Sequence, residues 1–172
     1  IPNGVNPGVE RPPNKIRRYG LDHRRYVLFV GRLVPEKGCH LLLEAFRRVN
    51  TDFKLVLAGG SSFSDGYVDT RARICEGDDR IQMLAYVYGD VLEELWSTAY
   101  LVVQPSFIEG LSISLLEALS HGKCILASDI PENMEVIEGY AVPFLTHTAA
   151  DLRQTLPHHL ADPIEVEGMT QQ

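Results

Sequence analysis

The sequence predicts an α/β protein, a doubly wound, Rossmann-like parallel sheet of about six strands with helices on both faces. Short apolar runs alternate with longer amphipathic ones from about Arg25 onward, which is typical of consecutive βαβ units. The short runs are apolar throughout, as expected of parallel strands covered on both faces. A length of 172 residues with 45% hydrophobic content suits one domain and is short for two. We therefore expect a single domain over residues 1–172.

Six apolar runs predict the strands. The first, "YVLFVG", is continuously apolar, and the second, "FKLVLAGG", ends in glycines that permit a sharp turn. Pro143 in the last run is tolerated only at a sheet edge or a strand end, so that run is predicted as an edge strand. The predicted strands are 26–31, 53–60, 80–84, 100–105, 123–128 and 140–144.

Helices are predicted between these strands. Residues 40–49 carry their apolar side chains on one stripe. Asp90 is a plausible N-cap for the helix at 90–99, and Pro131 suits a first helical position. The other predicted helices are one within 62–76, one at 112–121, a short one at 131–137 and a polar one at 149–160, interrupted at Pro157.

Composition excludes several classes of partner. The net charge of −7 offers no basic surface for nucleic acid.

Cys39, Cys75 and Cys124 show neither metal-ligand spacing nor a disulfide framework, which favours a reducing, cytoplasmic compartment. No apolar run approaches the roughly 20 residues of a membrane span. These features predict a protein without a transmembrane segment.

Residues 1–25 form a linker-like N-terminal segment. Proline, glycine and asparagine are frequent in its opening stretch, "IPNGVNPGVERPP". The chain begins without Met, and its end, "EGMTQQ", shows no closing element. We therefore expect a piece of a longer protein.

The loops that follow the strands are the expected site, because doubly wound sheets bind ligands outside the carboxyl ends of their strands. Arg32 and Lys37 follow the first strand and could neutralise a diphosphate. Gly110, Leu111 and Ser112 lead into a helix, where unpaired backbone N–H groups favour an anion. On this feature alone, an ordinary capped helix start is the simpler interpretation.

Two acids stand close to that predicted anion site. Glu109 would repel a phosphate if unpaired, so we expect its carboxylate to face hydroxyl groups, as on a sugar. Glu117 lies five residues beyond the predicted cap Ser112, which is roughly 7 Å along the helix at 1.5 Å per residue. From the helical wheel alone, Glu117 is a solvated surface glutamate.

Other chemistries lack their signatures. The six histidines show no zincin spacing, and the serines show no G-x-S-x-G elbow. No Asp-x-Asp pair is present to hold a divalent metal between phosphates. We expect a site without a metal or other cofactor.

The run "VGRLVPEKG…LLLEAF", then "KLVLAGG", then "PSFIEGLSISLLEALSHGKCILASDIPENMEVI" closely resembles the C-terminal, donor-binding domain of retaining, family 4 type glycosyltransferases. The most specific element is the pair Glu109 and Glu117, with seven residues between them. The resemblance covers residues 1 to about 160. It implies that the chain is one half of a GT-B fold.

The resemblance also implies residue roles. Arg32 and Lys37 match the cations that grip the donor diphosphate, and Glu109 matches the acid near the hydroxyls of the transferred sugar. Glu117 matches the acid that holds the ribose, against its interpretation from the wheel. Two further assignments complete the implied site. Gly110, Leu111 and Ser112 match the turn around phosphate and sugar, while Ile81 and Leu84 lie in the segment beside the nucleobase.

The implied reaction moves a sugar from a nucleoside diphosphate sugar to an acceptor hydroxyl with retention, independently of metal. The acceptor, a glycan, a lipid or another hydroxyl compound, would bind through an N-terminal domain that this chain lacks, so the isolated domain should be inactive. The resemblance is also compatible with contact between the longer protein and a membrane surface. The alternatives are a non-transferring nucleotide-sugar binding domain and a sugar-nucleotide epimerase or phosphorylase-like half.

Overall fold

A computed structural model of the chain describes residues 4–60, 77–137, 139–145 and 148–161. Within these residues six strands form one sheet in the order β3-β2-β1-β4-β5-β6, and every neighbouring pair is parallel. The strands are β1 Tyr26–Val30, β2 Lys54–Ala58, β3 Ile81–Leu84, β4 Leu101–Gln104, β5 Cys124–Ser128 and β6 Val142–Phe144. The predicted doubly wound sheet is confirmed, with β6 at an edge as Pro143 indicates.

Four of the described helices connect successive strands, and the fifth follows β6. They are α1 Cys39–Arg47, α2 Asp90–Thr98, α3 Ile113–Ser120, α4 Pro131–Ile137 and α5 Ala149–Ala161. Asp90 is the first residue of α2 rather than its N-cap, a position that Gly89 takes. Helix α5 continues through Pro157 instead of breaking there. Buried leucines on both sides of the proline, Leu152 and Leu160, hold the two parts of α5 against the core. The helix predicted within 62–76 lies outside the described residues.

The sheet has an apolar core on each face, because successive side chains of a strand point to opposite sides. Val27 and Phe29 of β1 join one core cluster together with buried residues of α1 and α5. Tyr26 and Leu28 join the other, with α2, α3 and α4. Burial on both faces explains why the strand sequences are apolar throughout.

The N-terminal segment packs on the domain. Residues 15–19 form a 3₁₀-helix in which Ile16 is fully buried. The carboxylate Oε2 of Glu94, in α2, accepts hydrogen bonds from the backbone N–H groups of Asn14 (2.9 Å) and Ile16 (3.1 Å). Burial alone would raise the pKa of Glu94, but the amides of this segment together lower it. The part of the segment after residue 13 is therefore anchored rather than a free linker.

In the part of the chain that the structure describes, no helix combines the length and the apolar character needed to cross a membrane.

Candidate functional site: the switch point between β1 and β4

The sheet order reverses direction between β1 and β4, which are neighbours although they are not consecutive in sequence. After β1 the chain leads to α1 on one face, and after β4 it leads to α3 on the other. Loop 31–38 and loop 105–112 therefore lead toward opposite faces at this point, and such a divergence is expected to leave a crevice at the carboxyl ends of the strands. Such switch points are where doubly wound sheets bind ligands.

Backbone contacts join the two loops. Gly38 has a φ of +64° and ends the 3₁₀-helix Pro35–Lys37. A Cβ atom at Gly38 would lie 1.9 Å from the carbonyl oxygen of Pro105, so both the conformation and the close approach require glycine. The backbone N–H of Phe107 donates to the carbonyl of Glu36 at 2.8 Å. The relative position of the loops is thus fixed by the backbone.

Lys37 and Glu109 form an ion pair across the crevice. The Lys37 Nζ lies 2.5 Å from Oε2 of Glu109, and the two side chains are 18% and 3% exposed. The other carboxylate oxygen, Oε1, accepts from the Gln104 amide at 2.8 Å and from the Ser106 hydroxyl at 2.5 Å. Both oxygens of this buried carboxylate are engaged by the protein.

These contacts change the interpretation of Glu109. From the sequence, an unpaired carboxylate next to the anion site is expected to face sugar hydroxyls. The described carboxylate is instead neutralised by Lys37. Each oxygen has two acceptor positions, so only Oε2 keeps one for a further donor. Contact between Glu109 and a sugar stays a prediction, limited to that one position.

Lys37 keeps donors for a ligand. An ammonium group has three N–H donors, and the described hydrogen bonds use one of them, toward Glu109. Arg32 lies in the same loop and is exposed. No ion pair to another described residue engages its guanidinium. The loop after β1 therefore contributes two cationic residues at the carboxyl end of that strand.

The N-terminus of α3 lies at the end of loop 105–112. Ser112 occupies the N-cap position but makes no capping hydrogen bond with its side chain, because its hydroxyl contacts the Ser114 hydroxyl at 3.1 Å. The first N–H groups of α3 are thus left without a side-chain cap. A Cβ atom at Gly110 would meet no atom within 4 Å, and Leu111 is exposed. The backbone at Gly110 and Leu111 is therefore accessible, and its contact with a ligand stays a prediction.

Glu117 lines a groove between α2 and α3. This cavity of about 310 Å³ reaches from Ile113, in the first turn of α3, to His121, and residues 4–8 form its opposite wall. Burial raises the pKa of Glu117, and the negative charge of Glu93 raises it further. The Trp96 indole N–H opposes this shift, although the two groups fall short of hydrogen-bond geometry. Glu117 is therefore half-buried in a cavity, contrary to the solvated position that the helical wheel suggests.

The two residues predicted beside a nucleobase are both core residues. Ile81 and Leu84 are each 8% exposed and join opposite core clusters. Ile81 begins β3, roughly 10 Å from its carboxyl end at about 3.3 Å per residue. Only Leu84, at the end of the strand, reaches the loop edge. Its carbonyl oxygen already accepts a hydrogen bond from the backbone N–H of Gly59 at 3.1 Å.

Sequence reasoning missed two features of this edge. Tyr86 and Tyr88, directly after β3, are exposed, and their rings stack with centroids 6.3 Å apart. The alternation of tyrosines in "YVY" was the available signal. The second missed residue is Gln104, a buried amide at the end of the apolar strand β4.

Comparison with known proteins identifies the family of the chain. The family model "Glycosyl transferases group 1" matches residues 13–167. An alpha-D-kanosaminyltransferase of Streptomyces kanamyceticus is 34% identical over 163 residues, which cover 90% of this chain and 41% of that protein. An uncharacterized glycosyltransferase of Methanocaldococcus jannaschii is 32% identical over 148 residues, covering 80% of this chain and 38% of the relative.

The fold is shared with a solved structure. The crystal structure of Anabaena HepE in complex with UDP superposes with a TM-score of 0.81 at 20% identity, covering 91% of this chain and 44% of that one. The chain thus spans less than half the length of these similar proteins, as one half of a GT-B fold would. Two predictions are confirmed: the fold is that of one half of a GT-B protein, and the resemblance to glycosyltransferases holds. The chain belongs to the group 1 family of glycosyl transferases.

Proposed function

We propose that this chain binds a nucleoside diphosphate sugar at the crevice between loops 31–38 and 105–112. The whole protein would move the sugar to an acceptor hydroxyl with retention, without a metal ion or other cofactor. The observation that carries this is the Lys37–Glu109 ion pair, which presents an ammonium group beside the open N-terminus of α3. The solved Anabaena relative is a complex with UDP, which supports a nucleoside diphosphate as ligand.

The proposed chemistry is stabilisation of the leaving group. Cleavage of the sugar–phosphate bond leaves negative charge on the diphosphate. Preorganised cations and helix-end amides stabilise such charge most strongly where water is excluded. Lys37 and Arg32 would supply the cations, and the first N–H groups of α3 the amides. Glu109 would fix Lys37 and keep one acceptor position for a sugar hydroxyl.

The remaining parts of the donor fit the neighbouring features. Glu117 would accept hydrogen bonds from ribose hydroxyls at the end of its groove near Ile113. The exposed Tyr86 and Tyr88 rings offer an aromatic surface to a nucleobase beside Leu84. The acceptor would bind through the part of the protein outside this chain. A cytoplasmic location is proposed from the cysteines alone, of which Cys39 and Cys124 are buried.

The test is thermal unfolding with UDP, GDP and ADP against UMP, GMP and AMP. One diphosphate at 100 times its dissociation constant should stabilise the chain by about 2.7 kcal/mol, and the matching monophosphate should need a higher concentration. Lys37→Ala should abolish that preference. Lys15→Ala, which removes an exposed lysine paired with Asp90, is the matched control and should keep it. Absence of any shift with all three diphosphates would contradict the proposal.

A further inference from the structure

Gln104 is a buried polar side chain in a strand that is otherwise apolar. It ends β4 and is 1% exposed. A buried amide is costly unless its hydrogen bonds are made. Its Nε2 donates to Oε1 of Glu109 at 2.8 Å and to Oγ of Ser106 at 2.9 Å, and its Oε1 accepts from Oγ of Ser114 at 3.3 Å. The amide thus has partners on two sides.

These partners belong to different parts of the candidate site. Glu109 holds the ammonium group of Lys37. Ser114 lies in the first turn of α3, and its hydroxyl also contacts that of Ser112 at the N-cap position. One buried amide therefore connects the counter-ion of the cation with the first turn of the helix.

We propose that Gln104 is a positioning residue that fixes the spacing between the Lys37 ammonium group and the N-terminus of α3, and thereby sets the selectivity for a diphosphate over a monophosphate. This role rests on the proposed function, since it assumes that the crevice binds a nucleoside diphosphate. Gln104 itself contacts no ligand in this scheme. It acts through Glu109 and Ser114.

The physical reason is the geometry of a two-phosphate ligand. A monophosphate can shift to suit either the cation or the helix amides, but a diphosphate engages both only when their separation is right. Binding groups have to be held within about 0.5 Å of the productive geometry. Gln104 and Ser106 both fix Oε1 of Glu109, which leaves Oε2 directed at Lys37. The Ser106 carbonyl is itself fixed by the Ser128 hydroxyl at 2.5 Å.

A purely structural role for Gln104 predicts a different result. Its removal would then lower the stability of the domain and leave the ligand preference unchanged. The ratio of the dissociation constants for a monophosphate and its diphosphate separates the two roles. That ratio does not depend on the folded fraction, because both nucleotides bind the same folded molecules.

The experiment measures this ratio by calorimetric titration of the 172-residue chain with UDP and UMP. If the wild type prefers another base, the diphosphate and the monophosphate of that base replace them. Gln104→Met keeps the side-chain volume and removes the amide, and Ser114→Ala cuts the link to α3. Each should lower the diphosphate preference about fivefold to tenfold, the scale of one net hydrogen bond. Thr155→Val removes a hydroxyl whose hydrogen bond, among the residues that the structure describes, is to the Asp151 carbonyl of its own helix, and this variant should leave the preference unchanged.

A double-mutant cycle tests whether the effect passes through Lys37. In the Lys37→Ala background, Gln104→Met should cause no further loss of preference, because residues that act as one unit are not additive. Additive losses would overturn the positioning role. The positioning role would also be overturned if the wild type prefers the diphosphate and both Gln104→Met and Ser114→Ala keep that preference unchanged. If Gln104→Met does not fold, Ser114→Ala decides. A wild type without any preference would instead contradict the proposed function itself.

Discussion

Replacing Glu109 by alanine removes the group on which three donors of the crevice converge. Its side chain is 3% exposed and accepts from Lys37, Gln104 and Ser106. Breaking a buried ion pair by deleting one partner costs about 3–5 kcal/mol. The Lys37 side chain is 18% exposed, so its ammonium group can regain some water. The lower end of the range, about 3 kcal/mol, is therefore expected for Glu109→Ala.

Equilibrium unfolding in urea, followed by circular dichroism, gives this free energy directly. For a domain of this size, about 3 kcal/mol corresponds to a fall in melting temperature of roughly 6–12 °C. Glu44→Ala is the matched control, because Glu44 is 56% exposed and its oxygen lies 3.8 Å from Arg48. Such an exposed pair contributes roughly 0–1 kcal/mol. If Glu109→Ala were as mild as Glu44→Ala, the carboxylate would not hold the crevice together, and the reasoning would be refuted.

Three further changes test other parts of the structure. Gly38→Ala should destabilise the chain by at least about 2 kcal/mol in urea unfolding, because its φ is positive and its Cβ would collide with the Pro105 carbonyl oxygen; Gly4→Ala, in open space, is the control. Glu94 has a lowered pKa in the folded state, so its contribution to stability is complete above about pH 4.5 and is lost as the pH falls below that value. Glu94→Gln should therefore flatten the acid side of the stability profile, and an unchanged profile would contradict this. Burial lowers the pKa of Lys123 to about 8 from 10.5, so the unfolded chain binds more protons between these values and stability should rise with pH there. Lys123→Met should abolish that rise in pH-dependent unfolding, whereas a rise of equal size in the variant would refute the assignment.

The fold could be predicted from the sequence because its signals are local. Apolar runs such as the one at Tyr26–Val30 are buried on both faces, and a parallel strand has to be continuously apolar for that reason. The position of the crevice followed from the same rule, since ligands bind where the strand order reverses. Proline gave one local signal that failed: Pro157 lies inside α5, where packing of the surrounding leucines outweighs the lost hydrogen bond.

The contacts inside the crevice could not be predicted, because they join residues far apart in sequence. Lys37 and Glu109 are separated by 72 positions, and nothing near either residue indicates their ion pair. The same holds for the N-terminal segment. Its composition is typical of a linker, but Glu94, some 80 positions later, binds its backbone amides. Gln104 was overlooked because one polar residue at the end of an apolar strand is a weak signal by itself.

The position of a bound diphosphate tests the central claim most directly. A crystal structure of the chain with the nucleoside diphosphate that stabilises it best would give this position. One phosphate should lie within hydrogen-bond distance of the Lys37 ammonium group and the other within hydrogen-bond distance of the first N–H groups of α3, with Glu109 still paired to Lys37. A diphosphate bound at the opposite edge of the sheet instead, in the cavity of about 250 Å³ that Arg24 and Lys123 line, would contradict the account.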